Sequence, residues 1–174
     1  MKKNMPSSRP SETKSKITDL RQWTVGVISD THGLLRPEAI AALQGSDYII
    51  HAGDVGDADI LGQLARIAPV TAVRGNVDRE RWARELPETN ILQVGAAAIY
   101  VLHDVNRLDL DPGSARFSAV VFGHSHRPAQ ETRKGVLFFN PGAAGPRRFN
   151  LPVSVGRLWV AGASLSAEIV DLLP

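Results

Sequence analysis

The chain has 174 residues, 43% of them apolar and 22% charged, which is the make-up of one ordinary globular domain with a sizeable core. It has no cysteine, so disulfides, thiolate metal sites and cysteine nucleophiles are excluded, and a reducing cytoplasm is the expected setting. The net charge of +2 splits unevenly: residues 1–22 carry +4 and the remainder −2, so a mildly acidic body follows a short basic tail and offers no clear nucleic-acid groove.

Residues 1–22 are rich in Ser, Pro and Lys without periodicity and read as a disordered tail, with the folded domain spanning 23–174. The opening lysines are not followed by an apolar stretch of the kind a secretory signal needs. The longest apolar run, Ala96 to Leu102, is far too short to span a bilayer, so no membrane partner is expected.

Thr24 to Ile28 is a β-branched strand that stops at Ser29-Asp30-Thr31-His32-Gly33. Pro37 opens a helix with Ile40, Ala41 and Leu43 on one face. Tyr48 to Ile50 is a second strand, ending in His51-Ala52-Gly53-Asp54, and Ala58 to Ile67 is a helix stopped by Pro69. Val70 to Val73 is a third strand, ending in Arg74-Gly75-Asn76-Val77-Asp78. The charged, irregular stretch Arg79 to Thr89, anchored by Trp82, is expected to cross to a second sheet.

Asn90 to Val94 and Ala96 to Leu102 are strands about Gly95, and the second delivers His103-Asp104. Asn106 to Gly113 is a loop or a short helix. Ala119 to Phe122 is a buried strand ending in Gly123-His124-Ser125-His126, where two histidines on an extended segment face the same side. Val136 to Phe139 is a strand running into Asn140-Pro141-Gly142, and Pro152 to Val160 with Ser166 to Leu172 form an antiparallel pair. Strand–helix alternation in the first half implies parallel βαβ units, while the second half is hairpin-rich. Two packed sheets with helices outside satisfy both.

Asp30, His32, Asp54, Asn76, His103, His124 and His126 thus stand where apolar strands end, the place where loops of neighbouring strands converge on a ligand. Taken singly, Asp30 or Asp54 could cap a helix and Asn76 could be a turn residue. Together they are seven nitrogen and oxygen donors, too many for one zinc and about right for two metals sharing a bridge. Glycines 33, 53, 75 and 123 beside them let the chain turn sharply or approach the ions.

Asp30-x-His32, Gly53-Asp54, Gly75-Asn76-x-Asp78, His103 and Gly123-His124-x-His126 together resemble, in order, the residues of calcineurin-like metallophosphoesterases, over 24 to about 148. The short length and the Asn140-Pro141-Gly142 segment are similar to the small bacterial and archaeal phosphodiesterase branch. The resemblance implies an α/β fold, a four-layer α-β-β-α sandwich of two mixed sheets with the metal site at strand carboxyl ends. It implies two divalent cations, Mn foremost, with Fe, Zn or Ni as alternatives.

By the same resemblance Asp30, His32 and His126 hold one metal and Asn76, His103 and His124 the other, with Asp54 bridging. It also gives Asp54, Asn76 and His103 a catalytic role. The implied reaction is hydrolysis of a small phosphate ester, a diester rather than a monoester, by a metal-bridging hydroxide. The chain departs from the family at Val77, where many relatives carry a proton-donating histidine, and at His103-Asp104, where many read His-Gly-His. The same fold serves as a protein-binding retromer subunit with a degraded metal set, which is the alternative reading; here every ligand is present.

His51 is expected to be a hydrogen-bonded structural residue, or one that supports the ligands from behind. Asp78 is expected to orient a ligand or the nearby backbone. Arg147 and Arg148 either approach the phosphate or form a solvated pair. The sequence leaves room for a homo-oligomer.

Overall fold

A computed structural model describes residues 21–174, so the tail expected over 1–22 lies outside the described residues apart from Arg21 and Gln22. Gln22 already belongs to the first strand, β1 (Gln22–Ile28). It is followed by α1 (Pro37–Leu43), β2 (Tyr48–His51), α2 (Ala58–Ala65) and β3 (Val70–Ala72). A 3-10 turn at Trp82–Glu85 lies in the crossing to the second sheet. That sheet comprises β4 (Thr89–Val94), β5 (Ala97–Leu102), β6 (Ala119–Val121), β7 (Ala129–Arg133) and β8 (Val136–Asn140). The chain then returns to the first sheet through β9 (Ser154–Ala161) and β10 (Ser164–Asp171).

The first sheet has the order β10-β9-β1-β2-β3 and the second β4-β5-β6-β8-β7. Both are mixed: β1, β2 and β3 are parallel, β9 is antiparallel to β1 and β10 antiparallel to β9, while β5, β6 and β8 are parallel with β4 and β7 antiparallel at the edges. The first sheet therefore sends four carboxyl ends in one direction and the second three.

Alternation along the strands decides the layers. Val25 and Val27 of β1 face the inter-sheet core with Ile99, Val101, Val121 and Phe139 of the second sheet. Ile28 and Ile49 face outward, where Leu43 of α1 and Ile60 and Leu64 of α2 cover them. Gly26 explains the close seat of α1, because a Cβ there would lie 2.5 Å from Leu43 Cδ2. The outer face of the second sheet is covered by Leu108, Leu110 and Phe117 over Tyr100, Val120 and Phe138. That fourth layer contains a 3-10 turn, Val105–Arg107, and irregular chain instead of a regular α-helix. Among the described residues no helix is long and apolar enough to cross a membrane.

Several boundaries differ from the sequence expectation. The second helix ends at Ala65, and Ile67 and Ala68 donate to Leu64 O in a tightened last turn before Pro69. The final hairpin turns at Gly162-Ala163, with β9 running one residue past Val160 and β10 starting two residues before Ser166. Strand β7 was not expected at all. Its residues, Ala-Gln-Glu-Thr-Arg, are exposed throughout, so this edge strand carries no apolar alternation to read.

Candidate metal centre

Each expected ligand follows a parallel strand: Asp30 and His32 after β1, Asp54 after β2, Asn76 after β3, His103 after β5, His124 and His126 after β6. Backbone bonds hold these loops side by side. Asp30 N donates to Gly53 O at 3.0 Å and His32 N to Asp54 O at 2.9 Å, while Gly123 N donates to His103 O at 2.9 Å. Across the sheets, His124 N donates to Asp30 Oδ2 at 3.1 Å. The local chain is strained to do this. Among the described residues eight non-glycines have positive φ, and five are the candidate ligands Asp30, His32, Asp54, His124 and His126, at 46–69°.

Two groups of donor atoms result. In the first, His126 Nε2 lies 3.2 Å from Asp30 Oδ1 and 3.2 Å from His32 Nε2. In the second, Asn76 Oδ1 lies 3.2 Å from His103 Nε2 and 3.1 Å from His124 Nδ1. Asp54 Oδ2 stands between them, 3.8 Å from His32 Nε2 and 3.3 Å from His103 Nε2. Donors about 2.1 Å from one cation at tetrahedral to octahedral angles are separated by roughly 3.0–3.4 Å. The close pairs fall in that range.

The hydrogen bonds behind the donors fit cations equally well. Asp30 is fully buried and Ser29 Oγ donates to its Oδ2 at 2.6 Å, yet its Oδ1 has no hydrogen-bond partner. A buried carboxylate oxygen left bare is costly unless a cation faces it. His103 Nδ1 is 2.7 Å from Ala52 O, and an imidazole donating there turns a bare Nε2 toward the site. The close seat of that ring requires glycine at 53, since a Cβ would come within 2.7 Å of His103 Nδ1. At Gly123 a Cβ would collide with Ser29 Oγ and Asp30 Oδ2, closing the contact between the sheets.

Electrostatics reflect this crowding. Burial opposes charge on Asp54, but hydrogen bonds from His103 and from Val77 N–H outweigh it and hold the carboxyl below its ordinary range. Burial likewise disfavours protonation of His103, yet its contact with Asp54 and the charge of Asp30 raise its pKa. His32 is lowered, chiefly by burial, with Arg148 and His126 adding to the effect against the pull of Asp54 and Asp30. A cation on His103 Nε2 would compete with its proton.

His51 is hydrogen-bonded and fully buried, as expected. Thr31 Oγ1 donates to Val55 O at 2.8 Å and so accepts from His51 Nε2 at 2.9 Å, which leaves Nδ1 to accept from Gly53 N at 3.3 Å. This neutral ring couples the Asp30–His32 loop to the Gly53-Asp54 loop, and burial pushes its pKa down to about 4. Asp78 orients backbone: its Oδ2 accepts from Val55 N and Gly75 N at 3.1 and 2.9 Å, and its Oδ1 from Gly56 N at 2.9 Å.

Arg147 and Arg148 are exposed, and Arg147 Nη2 donates to Leu173 O at 3.3 Å, away from the ligands. Arg148 stays within electrostatic reach of His32. Asp104 caps the 3-10 turn by accepting from Asn106 N at 3.0 Å. Sequence reasoning missed Ser29 and the anchoring role of Asn140, whose Nδ2 donates to Gly123 O at 2.9 Å and holds the His124–His126 loop. A buried amide at the end of an apolar strand was the available signal.

The sequence model of the calcineurin-like phosphoesterase superfamily domain matches residues 24–162. A probable metallophosphoesterase of Methanothermobacter thermautotrophicus is 32% identical over 161 residues, covering 84% of this chain and 91% of that protein. A phosphodiesterase of Methanocaldococcus jannaschii is 26% identical over 137 residues, covering 68% of this chain and 82% of that protein. Among solved structures, Vacuolar Protein Sorting 29 from Cryptosporidium parvum superposes with a TM-score of 0.68 at 21% identity, over 86% of this chain and 97% of that one.

Proposed function

The chain belongs to the calcineurin-like phosphoesterase superfamily, and from that premise we propose that it is a dinuclear metal-dependent phosphodiesterase. The observation that carries this reading is the convergence of seven donor residues from both sheets into two groups at ligand spacing. Asp30, His32 and His126 would hold one cation and Asn76, His103 and His124 the other, with Asp54 bridging. Manganese is the first choice, with iron, zinc or nickel suited to the same imidazole and carboxylate set. Bound there, two divalent cations supply water activated as a nucleophile at neutral pH and charge stabilisation for the phosphoryl oxygens. The preference for diesters draws on the phosphodiesterase among the relatives.

The protein's own share of the work is positional. Val77 N–H donates to Asp54 Oδ1, and Ala52 O fixes the His103 ring with Nε2 toward the site. Hydrolysis forms one P–O bond from water and breaks one ester P–O bond, and the departing oxygen needs a proton. Val77, 43% exposed beside Asn76, has none to give. The departing oxygen therefore leaves as an anion or takes its proton from water, and good leaving groups are favoured.

A second reading, a non-catalytic protein-binding scaffold, draws on the Vacuolar Protein Sorting 29 neighbour, whose likeness extends to the fold. The two are separated by metal analysis after reconstitution with excess Mn at neutral pH, joined to an assay with bis(4-nitrophenyl) phosphate. Two equivalents and hydrolysis are expected, with Asp54→Ala losing both cations and His126→Ala chiefly one. At most one equivalent, or two equivalents without hydrolysis of any diester, would sink the enzymatic reading.

A further inference from the structure

A cavity of about 340 Å³ opens beside the Asn76, His103 and His124 group. Its other walls include Arg74, two residues before Asn76, and Arg107, four after His103. Both guanidiniums meet one carboxylate. Arg74 Nη2 donates to Glu88 Oε1 at 3.1 Å, and Arg107 Nη2 to Glu88 Oε2 at 3.3 Å. Backbone geometry supports the arrangement, since Arg74 N donates to Pro87 O at 2.8 Å.

Exposed ion pairs of this kind contribute little to stability, and the Arg107 and Glu88 side chains are 71% and 56% exposed. Their arrangement matters more. The two guanidiniums share one carboxylate, and each spends one of its five N–H groups on Glu88, so N–H groups remain for a further acceptor. Asp104 and Asp109 also line the cavity. Asp104 Oδ1 is engaged by the Asn106 backbone and side-chain amide.

We propose that Arg74 and Arg107, held by Glu88, form an anion-binding subsite beside the metal centre, so that the substrate is a phosphoester carrying a second anionic group, a carboxylate or another phosphate. This deepens the phosphodiesterase reading and rests on it. The ester phosphorus sits at the ligand cluster and the second anion at the guanidiniums, which offer the paired N–H groups that carboxylates and phosphates accept.

The test uses the Mn-reconstituted protein and calorimetric binding of three ligand series, two to five carbons long: alkyl phosphates, phosphorylated hydroxy acids and bisphosphates. At one chain length the hydroxy-acid or bisphosphate ligand should bind about ten- to a hundredfold more tightly than the alkyl phosphate. The favoured series identifies the second anion. Arg74→Gln and Arg107→Gln should each collapse that ratio with metal content and melting temperature retained. Glu88→Gln, which keeps one acceptor oxygen and so releases one of the two guanidiniums, should reduce it.

Equal affinities across the series, or a ratio that survives both arginine changes, would overturn the subsite. In parallel, 4-nitrophenyl diesters of ethanol and of the favoured anionic alcohol are assayed for hydrolysis. Discrimination in binding without hydrolysis of either diester leaves the subsite standing and refutes the phosphodiesterase reading. Hydrolysis of both without discrimination does the reverse.

Discussion

Asp78 offers the sharpest test of how the ligand loops are held. Its carboxylate accepts three backbone N–H bonds, from Val55, Gly56 and Gly75, and so ties the loop bearing Asp54 to the loop bearing Asn76. The side chain is buried, so Asp78→Ala leaves three donors facing a small void. Each unmet buried N–H costs about 1–3 kcal/mol, and partial rewetting brings the expected total to roughly 3–5 kcal/mol. For a domain of this size that corresponds to a fall in Tm on the order of 10 °C. Asp78→Asn is milder, because its amide oxygen keeps two acceptor contacts while its NH2 group faces Gly56 N–H. One lost bond predicts about 1–3 kcal/mol. Thermal melting in chelator isolates this effect from stabilisation by bound cation, and a metal titration should show weakened affinity in both variants. An Asp78→Ala protein that melts within about 2 °C of the parent would refute the reasoning.

His51 predicts a pH dependence of stability. Its folded pKa, about 4, lies below the ordinary 6.5, so the unfolded chain binds the extra proton between those values. The contribution is fully present above about pH 6.5 and is lost as pH falls toward 4, by up to roughly 3 kcal/mol. His51→Asn should flatten this dependence with metal stoichiometry intact. An unchanged slope, or loss of one metal equivalent, would contradict the role given to this ring. Val77→His should accelerate alkyl diesters more than aryl diesters, by up to the 10²–10⁴-fold that a positioned acid typically contributes. A flat leaving-group dependence in the unmodified protein would mean another acid is present, with Asp104 the first suspect.

The ligands were legible because each combines a donor side chain with the end of an apolar strand, and both features are local. Thr24–Ile28, Tyr48–Ile50 and Ala119–Val121 run as strands because their β-branched and apolar residues pack on both faces of buried parallel strands. Strand β7 is set by pairing with β8, and its own residues carry no trace of that. Ser29 and Asn140 were hidden for a similar reason. Ser29 is a common polar residue until the fold places its hydroxyl 2.6 Å from Asp30, and Asn140 acts on Gly123 from 17 positions away. The Arg74–Glu88–Arg107 group also depends on tertiary approach, because 33 positions separate its arginines.

The strained ligand backbone has a consequence for the stability of the metal-free protein. A left-handed conformation costs an L-residue roughly 1–2 kcal/mol, and Asp30, His32, Asp54, His124 and His126 all adopt it. Backbone bonds from Asp30 N to Gly53 O, His32 N to Asp54 O and Gly123 N to His103 O hold these loops in that conformation. His124 is the cleanest position to examine, since its side chain is exposed and little packing is lost with it. His124→Gly removes the Cβ conflict at φ 69° and adds some unfolded-state entropy. The net expectation in chelator is stability equal to the parent or higher by up to roughly 1 kcal/mol. With Mn present the order should reverse, because the parent gains binding free energy that the variant forgoes. Melting curves with and without metal decide the matter. If His124→Gly melts well below the parent in chelator, the imidazole supports the fold directly, and the strain argument fails at this position.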